Sequence, residues 1–145
     1  MADVRKITVR GRYENIPAIT SFVGEAAEAA GLGDSGVFHC QMAIDEACTN
    51  VIEHAYGGEG NGDLHVEWFI REDDFVIVIH DHGEPFNPEI VPNPAQPNQD
   101  SLGLKVGGLG LYFMRTLMDT VRFQFHGEEG NTLTMTKRLP GRETE

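Results

Sequence analysis

Cysteine is scarce, tryptophan occurs once, and basic residues are outnumbered two to one by acidic ones. Each shortage removes a class of function. Cys40 and Cys48 lie eight positions apart on what reads as one helix, too far to bridge each other. A disulfide-stapled domain is therefore not expected, and buried free thiols in a reducing compartment are. Eleven Lys and Arg against 23 Asp and Glu give a formal charge of −12. That balance argues against sequence-independent binding to nucleic acid or to anionic membrane, both of which want a basic surface. No apolar run approaches bilayer-spanning length and the N-terminus lacks a signal-peptide pattern, so a cytoplasmic protein without a membrane partner is expected. No Gly-x-Ser-x-Gly or Ser-His-Asp pattern supports a hydrolase. What remains is a chain of 145 residues, enough for a single domain (residues 1–145) with a real hydrophobic core.

Read in order, Val4 to Val9 alternates as a strand. Asn15-Ile16-Pro17 starts a helix, with Asn15 as its cap and Pro17 in the first turn. That helix runs to about Ala30, burying Ile19, Phe22, Val23 and Ala26, and Gly31 and Gly33 stop it. Asp34 or Ser35 caps a second helix that ends in Gly57-Gly58. Strands follow at hairpin spacing. Leu64, Val66, Trp68 and Ile70 alternate with polar neighbours, and Phe75 to His80 is apolar on both sides, as a central strand is. Val121, Phe123 and Phe125 form another, and the turn Gly127 to Gly130 returns the chain along Asn131 to Arg138. Antiparallel strands with segregated helices predict an α+β fold, a two-layer sandwich with a mainly antiparallel sheet and helices on one face. Residues 84–107 have no periodicity and hold five of the seven prolines. A loop this long inside a compact domain reads as a lid.

Three stretches carry chemistry. In Ala43 to Tyr56, Ile44, Cys48, Val51, Ile52 and Ala55 make one apolar stripe. Glu46, Asn50 and Glu53 fall on a different face, and His54 follows Asn50 one turn later. A carboxylate there can accept a hydroxyl proton, and an amide oxygen suits Mg²⁺. The second stretch is Asp81-His82-Gly83 at a strand exit. Its aspartate can accept a hydrogen bond from an exocyclic amine, and Gly83 lets a flat ring approach the backbone. The third is Gly107-Gly108-Leu109-Gly110-Leu111, opening a helix. Amides exposed at a glycine-rich helix start favour an anion such as a polyphosphate, and Lys105 stands just upstream. A competing constellation joins His80, Asp81 and His82 with His65 and His126 as Zn²⁺ ligands. Against it, His80 and His82 are read as facing opposite ways, and no Cys/His pair has finger spacing.

In this order the three stretches, with the closing Gly130-Asn131-Thr132 strand, resemble the nucleotide-binding boxes of the GHKL (Bergerat-fold) ATPase superfamily. Among its members the match is to the bacterial anti-sigma-factor serine/threonine kinases, and it covers nearly the whole chain. The resemblance implies a Mg-ATP-dependent protein kinase with ATP and Mg²⁺ as cofactors. Glu46 would be the general base, Asn50 the Mg²⁺ ligand, and His54 would lie near the phosphates. Asp81 would read the adenine amine with Gly83 beside it. Gly107, Gly108, Leu109 and Gly110 would wrap the phosphates under the lid, with Lys105 at a terminal phosphate and Thr132 beside the adenine pocket. The family often has arginine where Lys105 stands, and lysine keeps the charge but loses bidentate geometry. Implied partners are a STAS-domain antagonist as substrate, a sigma factor or equivalent regulator, and a second copy of the chain, paired near the first strand and first helix. The alternative reading is a non-catalytic ATP-binding switch that sequesters a partner. A more distant one, an ATPase domain serving a histidine-containing protein, would call for a phosphohistidine segment in the same chain.

Overall fold

The computed structural model describes residues 5–85 and 109–140. Strand β1 (Arg5–Arg10) leads through a 3₁₀ turn (Tyr13–Asn15) into helices α1 (Ile16–Ala30) and α2 (Asp34–Asn50). A π-helical turn (Val51–Ala55) precedes the hairpin of β2 (Asp63–Arg71) and β3 (Asp74–Asp81). Helix α3 (Leu109–Leu117), β4 (Thr120–Phe125) and β5 (Asn131–Arg138) follow. The strands form one sheet in the order β1-β2-β3-β5-β4, with every neighbouring pair antiparallel. This is the expected α+β architecture. No described helix is long and apolar enough to cross a membrane.

The register explains the layers. Ile7, Val66, Ile79, Leu133 and Phe123 align in one row across the five strands, and Thr8, His65, His80, Thr132 and Gln124 in the next. Successive side chains of a strand point to opposite faces. The first row therefore joins the core with Ile19 and Val23 of α1, Ile44 and Cys48 of α2 and Met114 of α3. Each fully buried aliphatic side chain in such a core contributes roughly 1.5–3 kcal/mol. The second row faces away from the helices. Both cysteines are free and buried, as expected. Burial pushes the Cys40 thiol up to about 12 and raises that of Cys48 as well.

The helix ends differ from the sequence expectations. Asn15 does precede α1, but its side chain caps nothing; Nδ2 donates to the Arg10 carbonyl at 2.9 Å and ties the helix start to the end of β1. α2 is entered from Gly33 without a side-chain cap, and Asp34 lies inside the first turn, where its charge suits the helix dipole. At its far end α2 does not continue as regular helix to Gly57-Gly58. The Tyr56 amide reaches back to Val51 O at 2.9 Å, an i→i−5 bond, so Val51–Ala55 forms a wider turn. Gly57 and Gly58 then end it at positive φ (72° and 144°), which glycine adopts without steric cost.

Candidate functional site

The wide turn sets the geometry of the site. Glu46 and Asn50 remain one regular turn apart on α2, but His54 falls beyond the change of pitch. The three-and-four spacing that placed it on the same face no longer applies. The turn is bolted to the exit of β3 instead. Ala55 O accepts the Glu84 amide at 2.7 Å, and Tyr56 Oη accepts the His82 amide at 3.0 Å while donating to Asp63 O at 2.7 Å. A side chain at Gly83 would overlap the Ala55 carbonyl. Gly83 is thus needed for close approach to the helix end, a reason different from the flat ring anticipated from sequence.

Across this junction lies a cleft bordered by Asn50, Val51, Asp81, Glu84, Asn131 and Thr132. Asp81 is only 5 % exposed, and one of its oxygens is already committed. Oδ1 accepts the Gly83 amide and the Asn131 Nδ2 group, each at 2.8 Å. Asn131 also donates to the Gly83 carbonyl at 3.1 Å, which closes a small ring of bonds around the strand exit. Oδ2 has no hydrogen bond among the described residues, so it is the oxygen left for an external donor. On the opposite wall the buried Asn50 Nδ2 has no partner among the described residues. Carboxamide oxygen and nitrogen are interchangeable by a flip, so this group can turn either a donor or a hard oxygen into the cleft. Leaving such a group unmatched costs about 1–3 kcal/mol, which a ligand would recover. The donor set therefore fits an amine-bearing ring on one side and a cation or phosphate on the other.

The cleft measures about 40 Å³ among the described residues, well below the roughly 300 Å³ at which small-molecule sites begin, so a purine requires its walls to part. A larger concavity of about 470 Å³ lies on the opposite face of the sheet. The smaller cleft is the better candidate because the uncommitted Asp81 and Asn50 groups converge there.

The remaining sequence-predicted residues are distributed unevenly. Glu46 is half-buried on α2, one turn before Asn50. Burial, reinforced by the charges of Asp45 and Glu53, holds its carboxyl above the usual carboxylate range. His54 does not border the cleft; its Nε2 lies 3.9 Å from Glu53 Oε1. Thr132 borders the cleft, but its hydroxyl meets His80 Nδ1 at 3.3 Å on the other face. Leu109 and Gly110 open α3. Lys105, Gly107, Gly108 and nearly all of the expected lid lie outside the described residues. Two residues were missed. Asn131 was passed over for its neighbour Thr132, because its register opposite Asp81 is set only when the strands pair. Tyr56 closed the quoted helix stretch without being given a role. Among the described residues no three His, Cys, Asp or Glu side chains are gathered to hold a metal ion.

A two-layer sandwich with a carboxamide on a helix facing a buried aspartate at a strand exit defines an ATP-binding domain of a known class. The family described as histidine kinase-like ATPase domain matches residues 9–137, and the chain belongs to it, in the branch of the anti-sigma-factor serine kinases. It is 34% identical over 143 residues to the serine-protein kinase RsbW of Bacillus subtilis (strain 168), covering 97% of this chain and 88% of that one. To RsbW of Listeria monocytogenes serotype 4a (strain HCC23) it is 33% identical over 122 residues, 82% of this chain and 76% of the relative. It is thus a protein serine/threonine kinase. Solved structures agree on the fold. The RsbU and RsbW domains of Rv1364c from Mycobacterium tuberculosis superpose with a TM-score of 0.65 at 20% identity, over 94% of this chain and 32% of that longer one. The catalytic domain of histidine kinase ThkA gives 0.57 at 14% identity, over 93% and 97%.

Proposed function

We propose that this protein is a single-domain, Mg-ATP-dependent serine/threonine kinase of a partner-switching pathway, acting in the cytoplasm as a homodimer. Its substrate is a serine or threonine hydroxyl of a STAS-domain antagonist, and its other partner is a sigma factor or equivalent regulator. The observation that carries this reading is the Asn50 carboxamide, unmatched among the described residues, on the wall of the cleft that Asp81 also lines, with Glu46 one turn earlier on the same helix. In it, Asp81 Oδ2 accepts the adenine amine, while Asn131 and Gly83 hold the carboxylate still. Asn50 presents its oxygen to Mg²⁺, which when bound neutralises charge on the phosphates. Glu46 accepts the proton of the attacking hydroxyl, and its raised proton affinity makes it a stronger base than an ordinary carboxylate. Lys105, Gly107, Gly108, Leu109 and Gly110 complete the phosphate side. Phosphoryl transfer needs mainly positioning and charge neutralisation, so this short inventory suffices.

Calorimetric titration with ATP, ADP and GTP, each with and without Mg²⁺, tests the site. Magnesium-assisted, adenine-selective binding is expected. Binding to no nucleotide would leave only an interaction domain. Binding without transfer to any STAS-domain protein would favour the sequestering switch.

A further inference from the structure

The open face of the sheet carries a polar cluster that the kinase reading leaves unused. His80 and His82 were expected to face opposite ways, but residues two apart on a strand share a face. Their Nε2 atoms stand 3.4 Å apart. His65 sits opposite His80 in the register, and its ring centroid lies 6.0 Å from that of His80 and 5.9 Å from that of His82. Threonines hold two of the ring nitrogens: His65 Nδ1 meets Thr8 Oγ1 at 3.1 Å, and His80 Nδ1 meets Thr132 Oγ1 at 3.3 Å. Across the Nε2–Nε2 contact one ring must donate and the other accept, so the contact holds a single proton. A second proton would set two N–H donors head to head.

This contact flanks Asp81 on both sides. The His82 amide is fastened to Tyr56 Oη, and the next amide, Gly83, is the one that holds Asp81 Oδ1. Any displacement of His82 is therefore felt at the carboxylate. The groups facing the pair come from every neighbouring element. β2 supplies His65, and Lys6 of β1 with Glu67 of β2 line the same groove. His126 lies after β4, Tyr56 at the helix end, and Asp81 on the strand itself. Burial, then His82 and His65, lower the proton affinity of His80, and Asp81 opposes them.

We propose that His80 and His82, backed by His65, form a proton-operated latch that holds the β3 exit closed on Asp81 and releases it when a second proton enters. As a control on nucleotide affinity it rests on the adenine role of Asp81 given above.

The test is an NMR titration of the full chain between about pH 8 and pH 5, following the histidine rings and the His82 to Glu84 amides. ATP affinity is measured calorimetrically at both ends, for wild type and for His80→Gln. His82→Asn stands in if that variant does not fold. The Gly83 amide should move as the second proton enters the His80–His82 contact. ATP affinity should fall roughly tenfold more on acidification in wild type than in the variant, a usual size for coupling between sites. At pH 8 the two proteins should bind alike. A Gly83 amide that stays still while both rings titrate overturns the latch, and so does an equal loss of ATP affinity in both proteins. If neither protein binds ATP at pH 8, the nucleotide reading fails instead, and the Gly83 amide alone decides whether the latch moves.

Discussion

The two faces of the sheet are written into the same strands, one residue out of phase, and they use polarity in opposite ways. On the helix side, rows such as Val66–Ile79–Leu133 exclude water, and the buried Asp81 and Asn131 are bonded to each other, while the Asn50 carboxamide is kept for the cleft. On the open side, Thr8, His65, His80 and Thr132 form a row of polar side chains bonded in pairs. At the end of β3 the two regimes meet within three residues, Asp81 turning inward and His80 and His82 outward. The lesson is that a site placed where a strand leaves the sheet can be influenced from the face that does not contain it.

The difference can be tested by removing one group at a time. Glu46→Gln, on the helix side, should lower phosphoryl transfer by about 10²–10⁴-fold while retaining ATP binding, because it removes the base and keeps the shape. Equal transfer rates in the two proteins would strip Glu46 of its role. In wild type the rate should fall as pH drops through a value above the ordinary carboxylate range, since only the ionised base accepts a proton. Phe75 is fully buried and stacks on Trp68 at 5.7 Å between ring centroids. Phe75→Ala should cost about 3–5 kcal/mol in denaturant unfolding. Glu67→Ala on the open face should stay within about 0.5 kcal/mol, and comparable losses would mean that the open face is also packed.

Asp81→Asn should reduce the preference for ATP over GTP by about 1–3 kcal/mol, the usual cost of a mismatched buried hydrogen bond. Unchanged discrimination would remove the adenine assignment. The smallest effect concerns pH. Burial lowers the proton affinity of His80, and burial with Lys137 lowers that of His39. Below the ordinary imidazole value of about 6.5 the unfolded chain therefore binds more protons than the folded one. Stability should be level above that pH and decline as the solution is acidified through it. His80→Gln should flatten the decline in thermal or denaturant melts, and an unchanged slope would place its origin elsewhere.

Much of this was legible because it depends on local patterns. The period-two alternation of Leu64 to Ile70 and of Val121 to Phe125 marked strands, and the period of Ile19, Val23 and Ala26 marked α1. Glu46 and Asn50 were readable because both lie on regular helix. The illegible features depend on contacts between distant segments. Asn15 has the chemistry of a cap, but the Arg10 carbonyl competes for its side chain. His54 has the right spacing from Asn50 only if the helix stays regular, and the π turn removes that condition. Asn131 gains its importance from Asp81, fifty positions away.

The sequence by itself determined the layers, the strands, the buried thiols and the resemblance to the nucleotide-binding boxes, since each follows from side-chain period or from residues close together in the chain. Only the tertiary structure decided what Gly83 makes room for, which oxygen of Asp81 is held by Gly83 and Asn131, and that three histidines converge behind it. Those outcomes are set by register and by the pitch of one helical turn, where a shift of a single residue moves a side chain to another face.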